Sequence, residues 1–262
     1  MNASTFFSKV SQDSLKIRDF DAKAPVFYRK LNVTAGVFSG DLDVIRSCLP
    51  DPRLAPICIS KKRGLVAIHC LEYAHSDIGP YNELSLSFPV RFDKKFGPSL
   101  GAFAKSMFTG RFEAFVRSLP VTTEIALHGG VDFYNYPKYL ADLTFHETAT
   151  HRTCTLRDRD TLDLILAFES RRLATRKAAR EVEMITYPQK KDGQLLQATV
   201  RMNWLQHAMS FSSASAALRL GPSPHAGVFK ELRLGQCLAY LYVPQAEGIL
   251  FLPKTLEPWN PK

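Results

Sequence analysis

The chain has 262 residues, 45% of them hydrophobic, which suits one large domain or two small ones with a sizeable core. It carries 34 basic and 25 acidic residues, a net charge of +9, so anionic partners such as nucleic acid have to be considered. The five cysteines form no CxxC pair, which argues against a disulfide framework or zinc knuckle and favours reduced thiols in the cytoplasm. We expect no signal peptide and no membrane span, because no stretch approaches the roughly 20 apolar residues required.

The first part of the chain is predicted to pass from an irregular segment into short strands. Residues 1–27 are predicted to be an irregular lead-in, and residues 28–256 a single domain. Asp41 is placed to cap a short helix that ends near Cys48, because its carboxylate can accept free N–H groups of the first turn. Runs rich in β-branched and aromatic residues predict strands on either side of this helix. They cover residues 31–38, 54–59 and 65–73.

The stretch that begins at Glu83 alternates between polar and apolar residues. Leu84, Leu86 and Phe88 fall on one face of a strand, and Glu83 falls on the other face with two serines. If the apolar face packs outward on other elements, Glu83 points into the space that the sheet encloses. The next apolar residues recur at spacings of three and four, which predicts a helix over residues 100–118, broken near Gly110.

One lysine, Lys138, stands among aromatic residues, although most lysines are solvated surface groups. Pro137 fixes the backbone just before it. An amine among apolar rings loses hydration of its charged form, which favours the neutral amine, and a neutral amine can attack a carbonyl. The surrounding rings are those of Phe133, Tyr134, Tyr136 and Tyr139.

The remainder of the chain is predicted to be mainly strands, so we expect a mostly-β, closed or sandwiched domain with few helices. The sequence has no glycine-rich nucleotide loop, no HExxH and no GxSxG elbow, so we expect no cofactor and no metal. Its aromatic residues are not interleaved with Lys and Arg, so the charge alone is weak evidence for nucleic acid, and we expect neither nucleic acid nor membrane as a partner.

Several short motifs in a fixed order make the chain resemble the acetoacetate decarboxylase superfamily over most of residues 28–253. The resemblance implies a β-rich, cone-like antiparallel barrel around an enclosed pocket, with a few peripheral helices. It also implies a homo-oligomer that acts on a small keto or oxo acid. The motifs are Leu-Pro-Asp-Pro at 49–52, Gly-Pro-Tyr-Asn-Glu at 79–83, and Glu124 followed by Gly130 and by Tyr-Pro-Lys at 136–138.

By this resemblance, Lys138 would form a Schiff base with the substrate, and Glu83 and Glu124 would line the same cavity as catalytic groups. Acetoacetate decarboxylase is itself the familiar example of a lysine activated as a nucleophile, so this mechanism is implied by the resemblance alone. The residues predicted to contact the substrate are Tyr81, Tyr136 and Tyr139.

The chain departs from the decarboxylases at Tyr139, where the family has a second lysine. Without that neighbouring charge, burial alone would have to activate Lys138. Three functions therefore stay open: a decarboxylase-like lyase for a small β-keto acid, a Schiff-base enzyme for aldol or dehydration chemistry, and a non-catalytic binder of an apolar ligand.

Overall fold

Strands make up most of the chain in this computed structural model, which describes residues 5–93 and 99–257. Across these ranges, no helix has the length and apolar character needed to cross a membrane. The strands are β1 (Asp13–Ile17), β2 (Phe20–Ala24), β3 (Val26–Asp41), β4 (Leu54–Pro56), β5 (Arg63–Ser76), β6 (Tyr81–Phe92), β7 (Arg111–Val121), β8 (Lys138–Glu147), β9 (His151–Asp158), β10 (Leu164–Arg171), β11 (Arg180–Thr186), β12 (Leu196–Ser210), β13 (Ala216–Leu220), β14 (Cys237–Leu250) and β15 (Lys254–Thr255). The α-helices are α1 (Leu42–Cys48), α2 (Leu100–Thr109), α3 (Glu124–Tyr134) and α4 (Gly227–Lys230).

A closed barrel is the centre of the fold. Among the described residues, seven strands form it in the order β7-β11-β12-β14-β3-β5-β6, and β6 pairs back to β7. The prediction of a mostly-β barrel with a few helices is confirmed. The barrel is mixed rather than wholly antiparallel, because β11 runs parallel to β7. A parallel pair needs a long crossover, and the chain supplies it by building β8, β9 and β10 between these two strands.

The main hydrophobic core lies outside the barrel rather than within it. β8, β9, β10 and β13 continue from β7 as a second sheet that packs against the outer face of β3, β5 and β6. The ring of Phe38 on β3 meets the ring of Phe168 on β10 edge-on, with 6.4 Å between their centroids, and both side chains are buried. Outward-facing apolar residues therefore stabilise the wall, and the interior of the barrel is free to hold a cavity.

The helix predicted after Asp41 is confirmed. Asp41 Oδ1 accepts hydrogen bonds from the backbone N–H groups of Asp43 and Val44, and α1 ends at Cys48. The caps satisfy donors that the first turn leaves without an intrahelical partner. This helix packs its buried residues, Leu42 and Ile45, beside the start of β5.

The N-terminal segment differs from the irregular lead-in that was predicted. Residues 13–24 form a β-hairpin in which β1 pairs with β2 through a turn at Arg18 and Asp19. Arg18 adopts a left-handed backbone with φ of 53°. The turn lacks the glycine or asparagine that marks such hairpins in a sequence, which is why its strands escaped prediction. The domain limits of 28–256 stay a prediction.

The helix predicted over residues 100–118 is correct only in its first half. α2 ends where Gly110 adopts a left-handed backbone with φ of 72°, and β7 begins at Arg111. The apolar residues of β7 also satisfy the two-residue period of a strand, because Phe112, Ala114 and Val116 all line the interior of the barrel. Spacings of three and four were therefore an ambiguous signal here.

Candidate active site

The turn between α3 and β8 fixes the position of Lys138. Asn135 ends α3 in a left-handed conformation with φ of 51°, and the Tyr136 N–H donates to the Gly130 carbonyl. β8 then pairs in parallel with the end of β7, which places Lys138 opposite Leu119. The helix end and the strand pairing together hold the lysine backbone at the barrel wall.

Gly130 lies directly against the side chain of Lys138. A Cβ atom at this position would stand 2.3 Å from Lys138 Cε and 2.4 Å from its Cδ, well inside van der Waals contact. The lysine side chain therefore crosses α3 through space that the missing glycine side chain leaves open. This contact explains why a glycine occupies the middle of a helix, where it costs about 1 kcal/mol relative to alanine.

Lys138 and Glu83 form a buried ion pair inside the barrel. Lys138 Nζ donates to Glu83 Oε2 at 2.8 Å, and the two side chains are only 7% and 10% exposed. A buried charge without a partner is strongly destabilising, so each group depends on the other. The hydrogen bond of Lys138 Nζ is thus directed at a carboxylate oxygen inside the barrel.

Strand alternation carries Glu83 into the barrel, as the sequence predicted. Glu83 and Ser85 line the cavity that contains Lys138. Leu84 and Leu86 point the other way and belong to the main core between the barrel and the second, outer sheet. Because successive side chains of a strand face opposite sides, an outward apolar row places the carboxylate inside.

Three tyrosines surround the ion pair. The rings of Tyr73 and Tyr81 stack with centroids 4.4 Å apart, and Tyr28 packs on Tyr73 at the same separation. Tyr73 donates its hydroxyl to Glu83 Oε1 at 3.3 Å, and Lys138 Nζ lies 5.8 Å from the centroid of Tyr81. Burial raises the pKa of all three hydroxyls above the usual range, so they stay protonated at physiological pH.

Tyr136 also lines this cavity. Its hydroxyl lies 2.6 Å from Thr186 Oγ1, and its ring stacks on that of Tyr134 with centroids 5.4 Å apart. Burial raises the pKa of the Tyr136 hydroxyl above its ordinary value. Tyr81 and Tyr136 therefore both stand in the cavity where the sequence placed them.

The space around these groups, which we call the lysine cavity, has a volume of about 130 Å³. A dry apolar cavity of about 150 Å³ is large enough for benzene, so a small keto acid fits a space of this size. His69 also lines the lysine cavity, and burial lowers the pKa of the His69 imidazole to about 4. The imidazole is thus neutral near pH 7.

Two of the predicted site residues lie elsewhere. Glu124 is exposed in the first turn of α3 and is absent from the lining of the lysine cavity. Tyr139 packs against the main core and stacks on His225 with centroids 5.0 Å apart. It follows Lys138 on β8, so strand alternation turns it to the opposite face. The structure brings neither residue to Lys138.

Tyr28, Tyr73 and His69 are cavity residues that sequence reasoning did not select. Strand alternation could have indicated His69. It lies two positions from Leu71, which also lines the cavity, so both side chains lie on the same face of β5. Within the described ranges, no three His, Cys, Asp or Glu side chains come together as a metal site would require.

Comparison with known protein families shows to which family this chain belongs. The family model described as acetoacetate decarboxylase matches residues 20–246, which include the barrel and the lysine cavity. The chain belongs to the acetoacetate decarboxylase family. No curated protein sequence matches it.

Several solved structures share the fold of this chain. The acetoacetate decarboxylase from Legionella pneumophila subsp. pneumophila str. Philadelphia 1 is 14% identical with a TM-score of 0.63, covering 89% of this chain and 88% of its own. Another acetoacetate decarboxylase structure is 14% identical with a TM-score of 0.59, covering 89% of each chain. The enduracididine biosynthesis enzyme MppR, complexed with pyruvate, is 11% identical with a TM-score of 0.62, covering 89% of this chain and 91% of its own.

Proposed function

We propose that this protein is an enzyme that forms a Schiff base between Lys138 and a small oxo acid. The observation that carries the proposal is the Nζ atom of Lys138, which lies in a mainly apolar cavity with its hydrogen bond directed to Glu83. Glu83 can take a proton from the ammonium across 2.8 Å and so release a neutral amine.

The chemistry starts with addition of the neutral amine to the keto carbon. One proton then passes from the nitrogen to the former carbonyl oxygen, which becomes a hydroxyl. Glu83, now a carboxylic acid, returns its proton to the departing hydroxyl as water leaves and the iminium forms. In a β-oxo acid, the electrons of the bond to the carboxyl carbon then move into the iminium as carbon dioxide departs. The enamine takes up a proton at carbon, and water hydrolyses the new iminium to a ketone and free Lys138.

A second reaction is open once the imine has formed. An enamine made from an oxo acid can attack an aldehyde instead of releasing carbon dioxide, and the enduracididine biosynthesis enzyme MppR, which has a similar fold, is known in complex with pyruvate. Tyr139 stands where the decarboxylases have a second lysine, and it faces away from the cavity. Aldol or dehydration chemistry is therefore the alternative to decarboxylation.

Reductive trapping tests the nucleophile. Wild-type protein incubated with acetoacetate or pyruvate and sodium cyanoborohydride should gain the mass of the reduced adduct, and peptide mapping should place it on Lys138. Lys138→Ala should lose the adduct, whereas Lys62→Ala, which removes an exposed lysine of the β4–β5 turn, should keep it. Equal labelling of the Lys138→Ala protein would exclude the proposal.

Product analysis separates the open reactions. Release of carbon dioxide from acetoacetate supports the lyase, and a new carbon–carbon bond or loss of water supports the alternative. A protein that binds apolar ligands in the cavity but never traps an oxo acid would be the non-catalytic binder. A homo-oligomer and a cytoplasmic location stay predictions.

A further inference from the structure

A second cavity, of about 90 Å³, lies further along the interior of the barrel. Side chains fill the interior of a small barrel unless the inward positions are small. Here four strands place alanine at such positions, and each alanine is buried. They are Ala35 on β3, Ala67 on β5, Ala114 on β7 and Ala239 on β14.

The second cavity adjoins the lysine cavity. Within residues 5–93 and 99–257, four residues line both spaces: Val33, His69, Met184 and Met202. We call them the boundary ring. Methionine is unbranched and adapts its shape easily, so two of these four side chains can make way for a chain that passes between the cavities.

Strand β6 gives the distance between the two cavities. Its inward residues run from Glu83 and Ser85 in the lysine cavity to Ser87 and Pro89 in the second cavity. Ser87 lies four positions after Glu83, which is about 13 Å along a strand. An alkyl chain of medium length spans that distance from a keto carbon held at Lys138.

The lining of the second cavity suits an alkyl chain. α2 covers it with Phe103 and Met107, and the rest of the lining is mainly apolar. Of the described residues that line it, one has a carboxylate, Glu113, which accepts the backbone N–H of Phe92 at 2.9 Å. His69, at the boundary ring, is neutral near pH 7 because burial lowers its pKa to about 4.

We propose that the second cavity binds the alkyl tail of the substrate, so that the preferred substrate is an oxo acid with a medium-length alkyl chain. This inference rests on the proposed Schiff base at Lys138, which holds the head group. The tail runs from the keto carbon past the boundary ring into the space that the four alanines leave open.

Trapping with methyl ketones of increasing length tests the tail, because these ketones are the products expected from such acids. Each buried methylene strengthens binding by about fourfold. Methyl nonyl ketone should therefore reach half-maximal trapping by cyanoborohydride at a concentration lower than acetone by about tenfold or more. Equal half-saturation for the two ketones would overturn the proposal.

Filling the second cavity should remove this preference. Ala67→Phe should weaken trapping of methyl nonyl ketone by about tenfold or more and leave trapping of acetone unchanged. Ala239→Leu offers the same test with a smaller change if Ala67→Phe does not fold. The control is Ala217→Phe, an exposed strand position on β13 outside the barrel, which should leave both ketones unaffected. Equal losses for short and long ketones would contradict a tail site.

Failure of the tail-binding proposal can be distinguished from failure of the proposed Schiff base at Lys138. If the wild type traps no ketone at all, the proposed function of Lys138 is refuted, and titration calorimetry with sodium decanoate decides the cavity by itself. A binding heat that disappears in Ala67→Phe then supports tail binding in the second cavity. Identical heats in wild type and Ala67→Phe refute it.

Discussion

His69 lies at the boundary ring, where packing removes most water from its imidazole and its remaining exposed surface faces the cavities. Burial lowers the pKa of this group to about 4 in the folded protein, against about 6.5 in the unfolded chain. The unfolded chain therefore binds more protons between these values. The stability that neutral His69 allows is present in full above pH 6.5 and is lost as the pH falls through about 4.

We expect His69→Gln to reduce this acid-dependent loss of stability. Up to about 3 kcal/mol of the wild-type decrease between pH 6.5 and 4 should come from His69, and the variant, which cannot titrate there, should lack that part. Urea unfolding at a series of pH values measures it. His75→Gln, at an exposed position of the same strand, is the control and should follow the wild type. Parallel curves for wild type and His69→Gln would contradict the expectation.

Single residues also show what the sequence could and could not predict. Lys138 could be selected because aromatic neighbours and family motifs both pointed to it, and Glu83 because strand alternation directs it inward. Tyr73 could not be selected, since its role depends on a cross-strand contact with Glu83 that only the register of β5 and β6 creates. Glu124 matched a family motif, but it lies on the exposed side of its helix turn.

At the junction of α3 and β8, Gly130 in the helix leaves the space that the side chain of Lys138 occupies. We expect Gly130→Ala to slow reductive trapping by roughly tenfold or more, because the new Cβ forces the end of Lys138 away from Glu83. The rate of adduct formation, followed by intact mass, measures this effect. The helix itself should gain up to about 1 kcal/mol from alanine, so unfolding would not account for the loss.

Gly101→Ala provides the matched control for this element. Gly101 also lies in a helix, α2, but nothing lies within 4 Å of the position of its missing Cβ. The substitution should leave the trapping rate unchanged. A trapping rate for Gly130→Ala equal to that of Gly101→Ala would show that the lysine does not depend on the glycine gap.

Prediction of helices and strands from the sequence failed where the same residues fitted both the helical and the strand period. The spacing of apolar residues after Gly110 allowed a helix, yet their inward alternation on β7 is what the barrel uses. Whether a segment becomes helix or strand was decided by pairing with β6 and β11, which no local pattern contains. The β1–β2 hairpin escaped for a similar reason, because its turn has no glycine.

On the scale of the whole molecule, the core and the cavities are separated by the barrel wall. Outward-facing residues of the barrel and inward-facing residues of the second sheet form the main core, and the barrel interior keeps its space through small side chains. The stability of the protein should therefore depend on the packing between the barrel and the second sheet. The size of ligand that the barrel can bind should depend on the side chains that point into its interior. The sequence could indicate a mostly-β domain, but closure of the ring by β6 and β7 is a non-local pairing.

We expect Phe168→Ala to destabilise the whole protein by about 3–5 kcal/mol, because it empties a fully buried site between the two layers. Phe211→Ala removes the same ring from a position that is 71% exposed and should change stability by less than about 0.5 kcal/mol. Urea unfolding followed by circular dichroism compares the two variants. A loss confined to the outer sheet would contradict the shared core.

Two buried cysteines report on the two layers separately in the same experiment. Cys154 lies on β9 of the outer sheet and Cys237 begins β14 of the barrel, and both are almost fully buried. Because one core joins the layers, both thiols should become reactive over the same range of urea concentration. In Phe168→Ala, both ranges should move down together by the same amount. Labelling of Cys154 at lower urea than Cys237, mapped by peptide mass, would show instead that the outer sheet unfolds by itself and that the barrel is stable without it.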